Sequence, residues 1–142
     1  MRFLPVFLDT AAGVVVVVGS GEPARGKLRL LRAAGAHVRW FSRDADVAEE
    51  ILPPSAQGRL EISFGDPLKA DLSDAVAVVS AAGAALDAQI AERARRHRIP
   101  VNVVDRPELS TFIFPAIVDR GEVWSRSAPA ELRRCWRGVC AS

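Results

Sequence analysis

The 142-residue chain has no apolar run that could span a bilayer. Its longest, Val14 to Val18, falls far short of the roughly 20 residues a membrane helix needs. A secretory leader is not expected either, because Met1 to Asp9 contains Pro5 and reaches an acid too early for an apolar core. Cysteine is scarce. Cys135 and Cys140 match neither a zinc knuckle nor a disulfide framework, and a reduced, cytoplasmic setting is the expectation. His37 and His97 lie in unrelated contexts, one at a strand edge and one at a helix end, so no metal site is expected. Lysine is nearly absent (Lys27 and Lys69), its place taken by arginine, as in a GC-rich gene, and this bias carries no functional meaning. No repeat, low-complexity linker or Ser-His-Asp constellation is present.

What remains is ordinary for one globular domain: 49% apolar residues, 25% charged residues and a net charge of +2. That balance calls for neither nucleic acid nor an anionic membrane. The local basic run Arg93 to Arg98 reads as a solvated helix end, where cations suit the negative end of the macrodipole.

Gly13 to Val18 is an apolar run without alternation, the pattern of a strand buried on both faces in a parallel sheet. A helix is expected from about Glu22 to Ala34, with Ala24, Leu28, Leu31 and Ala34 at helical spacing and Gly35 as its stop. Pro23 sits in the first turn, where its missing N–H is tolerated. Further strands are expected at His37 to Phe41, Leu60 to Phe64, Ala75 to Ser80 and Pro100 to Val104. A helix is expected at Ala84 to His97, and a short one at Asp44 to Leu52, stopped by Pro53-Pro54. Phe112 to Ile117 reads as another strand, leading out of the sheet. Alternating strands and helices argue an α/β fold, a Rossmann-type doubly wound parallel sheet in a single domain.

The strongest local signal is Gly19-Ser20-Gly21-Glu22-Pro23-Ala24, directly after a buried strand and opening a helix. The first glycine makes a tight turn, the second lets backbone approach a pyrophosphate, and the small third residue lets helix pack on strand. The alternative is a purely structural turn. An acid reading the ribose is expected about 20 residues on. Asp44 falls slightly late for that role, and Arg43 beside it would suit a 2′-phosphate, so NAD and NADP both stay open. Asp105 ends the strand at Pro100 to Val104, on the side where ligands bind in such sheets; a turn acid is the equal alternative.

Several segments, in order, carry a family likeness. They are Leu4-Pro5-Val6-Phe7-Leu8-Asp9, then Val17 to Gly21 with Ala24, Lys27, Leu30-Leu31 and Ala34-Gly35-Ala36. Most specific are Val101-Asn102-Val103-Val104-Asp105-Arg106-Pro107 and Phe112-Ile113-Phe114-Pro115-Ala116-Ile117-Val118-Asp119-Arg120. From Phe3 to about Val123 the chain resembles the siroheme synthase N-terminal family, the precorrin-2 dehydrogenases that in some members are also sirohydrochlorin ferrochelatases. The resemblance implies a homodimer that oxidises precorrin-2 to sirohydrochlorin with NAD, with Fe²⁺ as a second substrate in bifunctional members. It implies a catalytic Asp105, with Arg106 and Arg120 as candidates for the substrate's carboxylates. It also places Ser80 and Ala81 beside the cofactor, with Gly19 to Ala24.

The chain departs from that family in places. Pro23 and Gly26 stand where valine and arginine are usual, and Val79-Ser80-Ala81-Ala82-Gly83 replaces an Ala-Thr-Asp-Asp-like segment. Residues 1–123 therefore read as the dehydrogenase domain and 124–142 as an aberrant tail. One reading is a frameshift: a one-base shift under suitable codons from Trp124 onward restores Val-Val-Ala-Ile-Gly-Thr-Gly-Gly-Ala-Ser-Pro-Val-Leu-Ala, the motif the family carries there. Two further functional readings stand beside the enzyme: a dinucleotide-binding module without catalysis, and a folded remnant that binds nothing.

Overall fold

A computed structural model describes residue 4 and residues 6–42 and 58–115. Among these residues five strands and two helices follow in order: β1 (Val14–Gly19), α1 (Gly21–Ala33), β2 (His37–Phe41), β3 (Leu60–Ser63), β4 (Ala75–Ala81), α2 (Ala84–Arg96) and β5 (Val101–Val103). A 3-10 turn, Pro67–Lys69, precedes β4. All strand pairs are parallel and the order is β3-β2-β1-β4-β5, with β1 central. Strand order reverses between β1 and β4, which is the switch point of a doubly wound sheet.

Two apolar layers explain the unbroken valine run. Val15 and Val17 face α1 with Leu28, Leu31 and Trp40, while Val16 and Val18 face α2 with Ile90, Ala91 and Ala94. Burying each large apolar side chain on either face is worth roughly 1.5–3 kcal/mol relative to exposure. Alternation would have left one face wet.

Both helices end in the same backbone motif. After α1, Gly35 takes φ +74°, its N–H bonding Arg32 O and that of Ala36 bonding Leu31 O, both at 3.0 Å. This is a Schellman cap with glycine in the left-handed position. After α2, Arg98 fills that position at φ +57°, with Arg98 N bonding Arg95 O and Ile99 N bonding Ala94 O, both at 2.9 Å. The basic run does more than solvate a helix end. Arg93 donates to Ala70 O at 2.7 Å and Arg95 to Leu109 O at 2.8 Å, while Arg96 pairs with Glu92.

The strand expected from Phe112 is not formed over residues 112–115. Edge strand β5 is closed instead by hydroxyls. Val101 N–H donates to Thr111 Oγ1 at 2.8 Å and Val103 N–H to Ser110 Oγ at 2.9 Å. With those edge groups taken, no ladder remains for residues 112–115 to extend. Asn102 holds Phe112 O at 3.1 Å, and Phe112 and Phe114 pack edge to face on the α1 side, with the Lys27 ammonium 4.4 Å above the Phe114 ring. The helix expected at 44–52, Arg43 and Asp44, Arg120, the rest of the 112–120 motif past residue 115, and the 124–142 tail with both cysteines lie outside the described residues.

Arg39 on β2 ties the sheet to the loop before β4. It bonds both carboxylate oxygens of Asp74, at 2.9 and 3.1 Å, and lies 3.5 Å from Glu61. The hydrogen bond from Arg39 holds the Asp74 carboxyl below its ordinary value. A depressed folded-state pKa means this contribution is complete above the unfolded value of about 3.9 and is lost as pH falls through the folded one. Because Asp74 is partly exposed, wild type should exceed Asp74→Asn by no more than about 1 kcal/mol at pH 6 in urea unfolding. The gap should close toward pH 2–3, and a gap independent of pH would refute the ion pair's role. Separately, Arg98→Gly relieves a left-handed non-glycine residue and should raise stability by roughly 0.5–1 kcal/mol in the same assay.

Candidate dinucleotide site

The site begins where β1 stops. Gly19 has φ +126°, and a Cβ there would lie 2.2 Å from Ala81 O and 2.4 Å from Ala81 C. Only glycine lets β1 run so close to the end of β4. From the other side, the buried Trp40 Nε1 of β2 donates to Gly19 O at 2.8 Å. Three strand ends are thereby drawn to one residue.

The chain then turns through Ser20 (φ −138°, ψ 176°), the N-cap of α1, and Gly21 at φ +74°. The Ser20 side chain makes no capping hydrogen bond. The first turn of a helix carries backbone N–H groups and the positive end of the dipole, which suit an anion. Pro23 contributes no N–H to that set. Glu22 is exposed and paired with Arg29 further along the helix. Ala24 is fully buried and lets α1 lie on the sheet, the role its small size implies.

Beyond the carboxyl ends of β1 to β4 opens a cleft of about 550 Å³. Gly19 and Ser20 line it from the turn, Phe41 and Ser42 from the end of β2, Phe64 to Pro67 from the end of β3, and Ala82 and Leu86 from the β4–α2 connection. Of the residues expected near a cofactor, Gly19 and Ser20 line this cleft, and Gly21 to Ala24 open the helix behind it. Ser80 is fully buried, and its hydroxyl is committed to Asp87. Ala82, not Ala81, reaches the cleft.

Asp87 escaped the sequence reading. Only 5% exposed, its Oδ1 accepts from Ser80 Oγ at 2.6 Å and from Ala82 N at 2.9 Å. It anchors the loop of small residues 81–83 from beneath. An acid in the first turn of a helix was the available signal.

Asp105 lies one strand away at the end of β5. Its backbone is left-handed, φ +59°, in a tight turn closed by Arg106 N to Val103 O at 3.1 Å. Asp tolerates that region better than most residues. Ser110 Oγ accepts from Val103 N and donates to Arg106 O at 3.0 Å, bracing the turn, while Arg106 pairs with Glu108 at 2.6 Å. The Asp105 side chain is exposed, and among the described residues no side chain pairs with it. Val104 N bonds Ser80 O at 2.9 Å, so the Asp105 turn and the cleft-lining Ala82 hang from the same end of β4. Among the described residues no group of three or more His, Cys, Asp or Glu could hold a metal ion, and no helix is long and apolar enough to cross a membrane.

A glycine turn at the switch point, an anion-receptive helix start and a partly apolar cleft beside them fit a dinucleotide. They define the class: a doubly wound α/β domain with a candidate nucleotide crevice at its switch point. Residues 6–116 match the NAD_binding_7 family, described as "Putative NAD(P)-binding", and the chain belongs to that family. It is 42% identical to a siroheme synthase of Nitrosospira multiformis over 126 residues, covering 87% of this chain and 27% of that protein. It is 43% identical to a siroheme synthase of Hahella chejuensis over 124 residues, covering 85% and 26%. The chain thus spans about a quarter of the length of these relatives. A solved precorrin-2 dehydrogenase, SirC, superposes with a TM-score of 0.61 at 20% identity, covering 98% of this chain and 70% of that one, a likeness of fold.

Pro23→Val restores a backbone N–H to the first turn of α1. It should tighten NAD⁺ binding roughly threefold to tenfold in a calorimetric titration, the scale of one hydrogen bond to an anion. Unchanged affinity would mean the pyrophosphate does not rest on this turn.

Proposed function

We propose that this chain is the dehydrogenase part of siroheme synthesis, converting precorrin-2 to sirohydrochlorin. The observation that carries this reading is Asp105, an exposed carboxylate on a braced left-handed turn, suspended from the strand end that also borders the cleft. The matched relatives are named siroheme synthase and a solved neighbour is named precorrin-2 dehydrogenase, and the resemblance rests most on the Val101 to Pro107 and Phe112 to Arg120 segments.

NAD is the proposed cofactor. Gly19, Ser20 and the first turn of α1 would hold its pyrophosphate, and the ends of β2 and β3 its adenosine half. The bound nicotinamide supplies the acceptor for a hydride. The protein's part is to orient the tetrapyrrole and to take the proton that departs with that hydride, which falls to the Asp105 carboxylate. The same carboxylate would accept pyrrole protons displaced by Fe²⁺, were iron insertion also performed. Arg106 and Arg120 are proposed partners for the carboxylates of the substrate. Arg106 is already engaged by Glu108, whose carboxyl it holds below the ordinary value, so substrate would compete with an internal acid. A homodimer in a reducing cytoplasm completes the proposal; exposed Leu4, Val6 and Phe7 offer apolar surface for a second copy.

Asp105→Asn keeps a residue suited to positive φ and removes the base. Absorbance of NADH formed from precorrin-2 should fall roughly a hundredfold or more while the Kd for NAD⁺ holds. Equal loss of binding and turnover would make Asp105 a structural residue. A second reading, a dinucleotide-binding module without catalysis, is favoured by the loop of alanine and glycine at 81–83. It would be established by NAD⁺ binding without turnover in the unaltered chain.

A further inference from the structure

The cleft carries a carboxylate that the proposed chemistry does not use. Asp66 lines it from the loop after β3. Its Oδ1 accepts the Leu68 N–H at 2.9 Å, capping the short 3-10 turn. Among the described residues, the charged group nearest Oδ2 is the exposed Lys69 ammonium at 4.0 Å, beyond hydrogen-bonding distance. Beside it Phe64 is 68% exposed, an aromatic ring left open to the cleft, and the half-buried Leu86 and Ala82 also line the cleft. Apolar walls and one solvent-facing acceptor free of protein donors among the described residues are what a flat heterocycle with an amino group requires.

The sheet order says which part of a dinucleotide arrives there. Strands lie about 4.8 Å apart, so the end of β3 stands two spacings, roughly 10 Å, from the turn after β1. With a phosphate on that turn, the intervening end of β2 meets the ribose and the end of β3 meets the base. Among the described residues that line the cleft, Asp66 is the acid on this path.

We propose that Asp66 selects adenine as the base of the bound nucleotide, its Oδ2 accepting a hydrogen from the exocyclic amino group. The inference rests on the dinucleotide reading above. Adenine presents a donor at this edge, where guanine and hypoxanthine present a carbonyl oxygen. A carboxylate is acceptor-only, so it welcomes the first and repels the others. Phe64 supplies a stacking face.

The test is calorimetric titration of the full chain with NAD⁺ and with nicotinamide hypoxanthine dinucleotide. Unaltered protein should prefer NAD⁺ by roughly tenfold, since the wrong base leaves a polar group facing another acceptor. Asp66→Asn keeps the cap, because Asn serves as well as Asp there, and turns an amide N–H toward the base. Its preference should vanish or reverse with the unfolding midpoint unmoved. Asp66→Ser, a second capping variant, should bind both dinucleotides alike. Equal affinity of the unaltered protein for both, or an undiminished preference in Asp66→Asn, would overturn the assignment and leave Asp66 a turn cap only. If the unaltered chain binds neither NAD⁺ nor its analogue, the dinucleotide reading itself falls.

Discussion

Everything functional in this molecule hangs on the close approach at Gly19. Its Cα faces the Ala81 carbonyl across a gap that admits no Cβ, and its own carbonyl is held by the indole of Trp40. Buried hydrogen bonds of that kind cost about 1–3 kcal/mol when one partner is left alone. The end of β1 is therefore pinned between β2 and β4, and the crevice is formed by strand ends that cannot drift apart. The turn that would hold a pyrophosphate inherits its position from packing.

A second tier of polar contacts shapes the floor and rim. Asp87 gathers Ser80 and Ala82, and the carbonyl of Ser80 in turn holds Val104, the residue before Asp105. A loop of small residues with no side-chain reach of its own is thereby given one conformation. Such buried networks are valuable only when each member is satisfied, and here the carboxylate accepts from both a hydroxyl and an amide. On the far edge, Ser110 and Thr111 occupy the open hydrogen-bonding side of β5 and hold the Asp105 turn in place. The proposed catalytic group and the proposed nucleotide crevice are two consequences of one strand, β4, and what is attached to its end.

Much of the local structure was legible in the residues. The Val14 to Val18 run could satisfy only a strand covered on both faces, Gly35 could mark only a helix end in left-handed backbone, and Gly19-Ser20-Gly21 announced the turn. Asp105 stood out by its place after a strand, and the structure adds its unusual backbone angle. The misreading at Phe112 was a failure of period: an apolar run with β propensity finds no partner when Ser110 and Thr111 have already closed the edge. Asp87 and Trp40 stayed hidden because each bonds atoms more than a turn away in sequence, and Asp66 because its place on the cleft follows from the order of the strands.

By itself, then, the sequence determined the elements, the two-sided burial and the glycine turn, since these follow from side-chain period and from backbone angles only glycine accepts readily. Tertiary structure alone decided the order β3-β2-β1-β4-β5, and with it which strand ends border the crevice. It also decided that Ser80 is buried while Ala82 is presented, and that Asp66 stands two strands from the turn. The physical reason is range. Propensity and capping act within a helical turn or two, whereas a binding crevice is made by residues brought together from distant parts of the chain by the burial of a shared core.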